Sequence, residues 1–205
     1  MKRREPAPPQ SETVARLLER LSPVLAELPT DTRFSEWLAL SADPRAALVH
    51  LDALFAAGWK PSPNSLEALL RVCGASQALT TVLLSVADAT PQWFDRAVTV
   101  GRVLPAEHVA EIERTAGGSF ESPDMPALLR RHKRKHVLRI GARDLTGLAN
   151  VEDTVRELSA LADGAIEAAT RFARAQAAKD YGTFDPNDPL RFVVLGMGKL
   201  GGGEL

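Results

Sequence analysis

The 205-residue chain is 45% hydrophobic and 25% charged with a net charge of −1, a balance that supports a buried core and excludes a disordered chain. A single cysteine excludes a disulfide-built scaffold, and 14 glycines with 14 prolines exclude a collagen-like one. No run reaches the roughly 18 apolar residues of a membrane span, and the basic start Met1-Lys2-Arg3-Arg4 has no apolar stretch behind it. A cytoplasmic protein without a membrane partner is expected, with Cys73 a small buried hydrophobe in a reducing compartment.

Alanine and leucine dominate and aromatics are scarce, which favours helices. Val14, Leu17, Leu18 and Leu21 recur at helical spacing behind Ser11, and Pro23 is expected to break or restart that helix. Asp43-Pro44 predicts an N-cap and first turn for the stripe Leu48, Leu51, Leu54, Phe55, which Gly58 stops. Leu66, Leu69, Leu70 and Cys73 form another face closed by Gly74. Ser76 caps a helix with Leu79, Val82, Leu83 and Val86. Thr90-Pro91 opens a short helix holding Trp93, Phe94 and Val98. Pro105 opens the next, and Gly117-Gly118 ends it.

Beyond residue 120 the character changes. Pro126 begins a helix through a basic stretch to about Ile140. Asn150 and Asp153 start the longest helix, roughly 151–179, with the stripe Val155, Leu158, Leu161, Ala162, Ala165, Ile166, Ala169, Phe172, Ala173. Asp185-Pro186-Asn187-Asp188-Pro189 is a polar turn. The expected division is a helical region over 1–120 and a second unit over 121–205. No internal repeat supports a regular solenoid. The one predicted strand, Phe192-Val193-Val194-Leu195, feeds a glycine-rich segment from Gly196 to Leu205. A lone strand cannot satisfy its own backbone, so the sequence reads as cut off where a sheet domain begins.

That segment carries the most chemistry. Glycines let backbone N–H groups approach an anion closely, and Lys199 adds a cation suited to a polyphosphate. The P-loop spacing is absent, because Leu200 stands where Ser or Thr would bind magnesium. Gly196-x-Gly198-x-x-Gly201 matches the dinucleotide fingerprint literally, which then requires a following helix and an acidic residue about 20 positions on. A glycine-rich turn without a ligand is the bland alternative.

Arg191-Phe-Val-Val-Leu-Gly-Met-Gly-Lys-Leu-Gly-Gly-Gly-Glu-Leu205 resembles the start of the nucleotidyltransferase signature in the bifunctional glutamine synthetase adenylyltransferase/adenylyl-removing enzyme family. The segment Leu138 to Asp163 and, more loosely, Gly74 to Phe94 also look like that family. The resemblance implies a mainly α fragment leading into the first strand of an α+β, DNA polymerase β-like nucleotidyltransferase domain. The upstream helices and the Met1 start place it in the N-terminal, adenylyl-removing half. The resemblance further implies nucleotide or phosphate contacts from Gly198, Lys199, Gly201 and Gly202, and a departure at Gly203, where a larger residue is usual. It implies ATP or ADP as nucleotide and Mg2+ held by an Asp-x-Asp pair beyond Leu205, so that the catalytic residues fall outside this chain. Glutamine synthetase and a PII-type signalling protein are the implied partners. A helical interaction module without chemistry and a truncated Rossmann oxidoreductase are the alternatives.

Arg130, Arg131, Lys133, Arg134, Lys135, Arg139 and Arg143 are seven cations with no acid among them. They read first as a solvated helix face whose counter-charges come from elsewhere, and second as an anion site. Nucleic acid is not expected, since no aromatics are interleaved with the charges. His132 and His136 have the i, i+4 spacing of a helical metal pair. The surrounding cations and the lack of a nearby third ligand favour structural or surface histidines. His108 with Glu111 reads as an exposed helical pair. Trp37, Trp59 and Trp93 are read as packing residues.

Overall fold

The computed structural model describes residues 14–26, 33–85, 90–182 and 192–205. Within them run α1 (Val14–Ala26), α2 (Phe34–Ala39), α3 (Pro44–Ala56), α4 (Pro63–Ala75), α5 (Gln77–Ser85), α6 (Pro91–Thr99), α7 (Pro105–Thr115), α8 (Met125–Leu145) and α9 (Val151–Tyr181). The mainly α expectation holds. Ser11, Val86 and the turn Asp185–Pro189 lie outside the described residues.

The caps are those the local chemistry predicts. The Asp43 carboxylate accepts from Ala46 N–H at 2.9 Å, and Asn150 Oδ1 accepts from Asp153 N–H at 2.8 Å. The Ser76 and Thr90 hydroxyls each accept an N–H three residues on, at 3.2 Å. Each satisfies a first-turn donor that the helix cannot. At α7 the Glu107 carboxylate reaches back to Leu104 N–H at 2.7 Å.

Three local expectations need correction, and one helix is added. Pro23 lies inside α1 rather than ending it. Gly74 lies inside α4; a Cβ there would sit 2.9 Å from Ser41 Cβ, so it marks a close crossing instead of a stop. The added helix is α2, which has no side-chain cap at Arg33 and only six residues to show a period. On α9 the buried line is Glu157, Leu161, Gly164 and Ala168, while Val155, Leu158, Ala165 and Ala169 are only half-buried. An apolar count misses a seam built from a glutamate and a glycine.

Packing forms two clusters. The larger draws Leu17 and Leu21 of α1, Leu48 and Leu51 of α3, Leu66 and Leu70 of α4, and Phe94 of α6 into one core. Trp59 meets Phe94 edge-on at 6.2 Å, and Trp37 and Trp93 pack against the same core, as expected of packing residues. Cys73 is 1% exposed, and burial pushes its thiol up to about 12, which makes it inert. The smaller cluster holds Ile112, Met125 and Ala168 with Phe120 and Phe172 against them. Helix α8 serves both: Leu138 and Ala142 enter the first cluster and Met125 the second.

Residues 192–197 take no regular secondary structure, and no strand forms among the described residues. A strand is defined by its neighbour, and no described segment lies extended beside this one. Phe192, Val193, Leu195 and Met197 are accordingly exposed. No described helix is long and apolar enough to cross a membrane.

Candidate functional site

The glycine-rich segment turns back on itself. Gly202 N–H donates to Gly198 O at 3.0 Å, Gly203 N–H to Leu200 O at 3.0 Å, and Glu204 N–H to Lys199 O at 2.7 Å. Those three donors are spent within the turn. The N–H groups of Gly198, Lys199, Leu200 and Gly201 have no backbone acceptor among the described residues. Gly198 and Gly203 adopt φ of +62° and +69°, the left-handed region that glycine enters at little cost. The departure at Gly203 is therefore a conformational requirement of this turn. A Cβ on Gly201 would lie 2.5 Å from Gly196 O, so that position admits no side chain. Gly202 differs: its φ is not left-handed, and its Cβ would meet nothing closer than Glu204 Cδ at 3.6 Å.

The turn lies beside α9. Leu205 N–H donates to Ser159 Oγ at 3.3 Å. A cavity of about 410 Å3 separates Asp163, Glu167 and Thr170 of α9 from Val194, Gly196 and Gly201. All four predicted site residues, Gly198, Lys199, Gly201 and Gly202, are exposed in this turn.

The basic stretch is not a uniformly solvated face. Arg130, Lys133 and Arg134 are exposed, but Arg139 and Arg143 are 2% and 9% exposed. Arg139 pairs with Glu157 of α9 and donates to Gly101 O at 3.1 Å. Arg143 donates to Val98 O at 2.9 Å and Leu148 O at 3.2 Å, with Glu157 3.7 Å from its Nε. The expectation that the counter-charges come from elsewhere in the fold holds. The expectation of solvation fails for these two, because Glu157 from the next helix allows guanidinium groups to be buried.

The histidine reading changes more. His108 is fully buried rather than exposed, and α7 lays it against His132 and His136 of α8. His108 Nδ1 lies 3.0 Å from His132 Nε2. The His108–His136 and His132–His136 ring centroids are 4.6 and 4.3 Å apart. Glu111 supplies the nearby carboxylate, 2.9 Å from His136 Nε2 and 3.0 Å from Lys135 Nζ. Lys135 also lies over the Trp93 ring, 4.9 Å from its centroid. Gly164 makes the approach possible, since a Cβ there would lie 2.6 Å from His108 Cβ and 2.9 Å from Pro105 O.

Burial, then the neighbouring His136 and Arg139, depresses His108 to about 4; burial and His136 bring His132 to about 3. For Glu111 burial acts upward, but the His136 and Lys135 contacts win and hold the carboxyl well below its ordinary range. Only the i, i+4 pair on α8 was legible in the sequence. His108 stands 24 residues before His132, and nothing local announces that it joins them.

Fold and loop together define a mainly helical chain carrying a glycine-rich, lysine-bearing turn against its longest helix. A family profile described as glutamate-ammonia ligase adenylyltransferase matches residues 66–205, and the chain belongs to that family. Similar relatives bear the name bifunctional glutamine synthetase adenylyltransferase/adenylyl-removing enzyme. The Streptomyces coelicolor protein is 33% identical over 188 residues, covering 88% of this chain and 18% of its own length. The Pseudomonas aeruginosa protein is 32% identical over 165 residues, covering 78% and 17%. The Shewanella woodyi protein is 41% identical over 143 residues, covering 68% and 15%. The chain thus spans less than a fifth of these relatives. No solved structure matches it.

Proposed function

We infer that this chain is the N-terminal part of a nucleotidyltransferase acting on glutamine synthetase, from the half that removes AMP. The family match supports this reading, because it takes in both the helical body from residue 66 and the glycine-rich turn. In this reading residues 1–120 form a helical region and 121–205 begin the nucleotidyltransferase domain. A PII-type signalling protein acts as the regulatory partner.

Phosphate contacts fall to Gly198, Lys199 and Gly201 through free donors, and to Gly202 through the close approach that its missing side chain allows. The uncommitted N–H groups at 198–201 and the exposed Lys199 ammonium suit an anion. In the reaction an oxygen of inorganic phosphate attacks the AMP phosphorus. The bond to the tyrosine oxygen breaks, that oxygen takes up a proton, and ADP leaves. Lys199 and the backbone donors offset the phosphate charge as it approaches.

Magnesium does not fit the residues present. Asp163 and Glu167 border the cavity from one helix, but no cluster of metal-ligating side chains forms there among the described residues. Its carboxylate ligands are assigned beyond Leu205, and no step is routed through it.

The test replaces the corresponding segment of the Pseudomonas aeruginosa relative with this chain. The chimera is expected to release ADP from adenylylated glutamine synthetase given phosphate and magnesium, whereas the 205-residue chain alone releases none. Gly202→Val in the chimera should cost orders of magnitude in rate at unchanged melting temperature, because the added side chain blocks approach without straining the turn. ADP release by the free chain, or full turnover with Gly202→Val, overturns the reading.

A further inference from the structure

We propose that His108, His132 and His136 form a binding site for a borderline divalent transition ion of the Zn2+ class, bridging α7 to α8. One ligand nitrogen from each ring lies within 4.8 Å of the others, and all three side chains are buried. Tetrahedral Zn–N bonds of about 2.0–2.1 Å set donor atoms roughly 3.4 Å apart, so the three rings close inward by side-chain rotation when the ion binds. Imidazole nitrogen suits Zn2+, Cu2+, Ni2+ and Fe2+, not Mg2+ or Ca2+.

Two further observations point the same way. His108 Nε2 and His136 Nδ1 are buried without a hydrogen-bond partner. A buried polar atom left unpaired costs free energy, and ligating a metal ion through such a nitrogen removes that cost. A cavity of about 20 Å3 opens beside the cluster, lined by Glu111, Arg131, His132 and Lys135 among others. That volume admits about one water.

The nearby cations do not forbid an ion. Arg139 is matched by Glu157 of α9, and Lys135 by Glu111 and the Trp93 ring. Lys133 and Arg134 are exposed to solvent screening. Glu111 is placed to be the fourth ligand or to orient His136 from outside the metal. The three ligands are 0%, 7% and 4% exposed, which is the closed geometry of a structural site.

The site is tested on the untagged 205-residue chain, stripped with chelator and then titrated with Zn2+ or Co2+. One ion per chain is expected, with a rise in melting temperature and the intense visible absorption of tetrahedral Co2+. His108→Gln, His132→Gln and His136→Gln should each weaken Zn2+ binding more than about 100-fold. Glu111→Gln should cost about 10–100-fold, the range of an outer-shell partner. His50→Gln should change nothing, since His50 Nδ1 is occupied at 2.7 Å from Cys73 O. Absence of one-to-one uptake, an octahedral cobalt spectrum, or wild-type affinity in the three histidine variants overturns the proposal. If a variant fails to fold, the cobalt spectrum and metal-dependent melting of the unaltered chain decide it alone.

Discussion

Arg139 and Glu157 meet with side chains 2% exposed, deep between α8 and α9. Burying both charges is favourable only because each is matched and Arg139 also finds the Gly101 carbonyl. Glu157→Gln should therefore lower unfolding free energy by about 3–5 kcal/mol, leaving two guanidinium groups buried against a neutral amide. Denaturant titration of the variant checks this, and a loss below about 1 kcal/mol would show the pair to be solvated. A second residue with an outsized role has no functional group at all. Alanine at position 164 gains helix propensity of about 1 kcal/mol over glycine. It also places a methyl 2.6 Å from His108 Cβ. Overpacking of this kind costs about 1–3 kcal/mol, so Gly164→Ala should be net destabilising and should separate α7 from α9. A shift of the denaturation midpoint to lower concentration at unchanged slope is the expected result.

Between elements, α7 and α8 are joined through the histidine layer, and this contact carries a pH dependence. His108 and His132 face Glu111 on α7, Lys135, His136 and Arg139 on α8, and the Gly164 backbone of α9. Their folded values, about 4 and about 3, lie below the ordinary imidazole value of 6.5. The unfolded chain therefore takes up protons first as pH falls. No cost arises above about pH 7, and destabilisation grows from about pH 6.5 downward through those folded values, of order 3 kcal/mol from His108 alone. Glu111 acts in the same direction, since its depressed carboxyl loses its contribution as pH falls below the usual carboxylate range. Thermal melts of chelator-treated chain should thus show a steady fall in melting temperature between pH 7 and pH 4. His108→Phe should flatten that fall.

At this scale it is also visible which parts of the molecule the sequence announces. Helix starts depend on one side chain and an N–H two or three residues away, so Asp43, Ser76, Thr90 and Asn150 could be read directly. The seam of α9 could not, because Glu157 and Gly164 take their meaning from Arg139 and His108 on other helices. The third histidine was hidden for the same reason.

For the molecule as a whole, the helical body and residues 192–205 differ sharply in burial. Leu138 and Ala142 are fully buried, whereas Phe192, Val193 and Leu195 are 59%, 72% and 81% exposed. A run of exposed apolar residues of this kind is a surface suited to pairing. The family match includes it, and the relatives are more than five times longer than the stretch they share with this chain. Exposed to this degree, the segment contributes little to the stability of the helices. Leu205 N–H to Ser159 Oγ is the one hydrogen bond between residues 192–205 and α9 among those described. Removing residues 192–205 should then change the stability of the helical body by about 0.5 kcal/mol or less, the scale of surface changes. Hydrogen exchange should show the amides of Phe192–Leu195 nearly unprotected in the free chain, with those of Leu138–Ala142 the slowest. On the proposed function, the amides of 192–195 should become protected in the chimera with the Pseudomonas aeruginosa relative. Strong protection of those amides in the free chain, or a loss of several kcal/mol on truncation, would mean that the helical body already provides the partner.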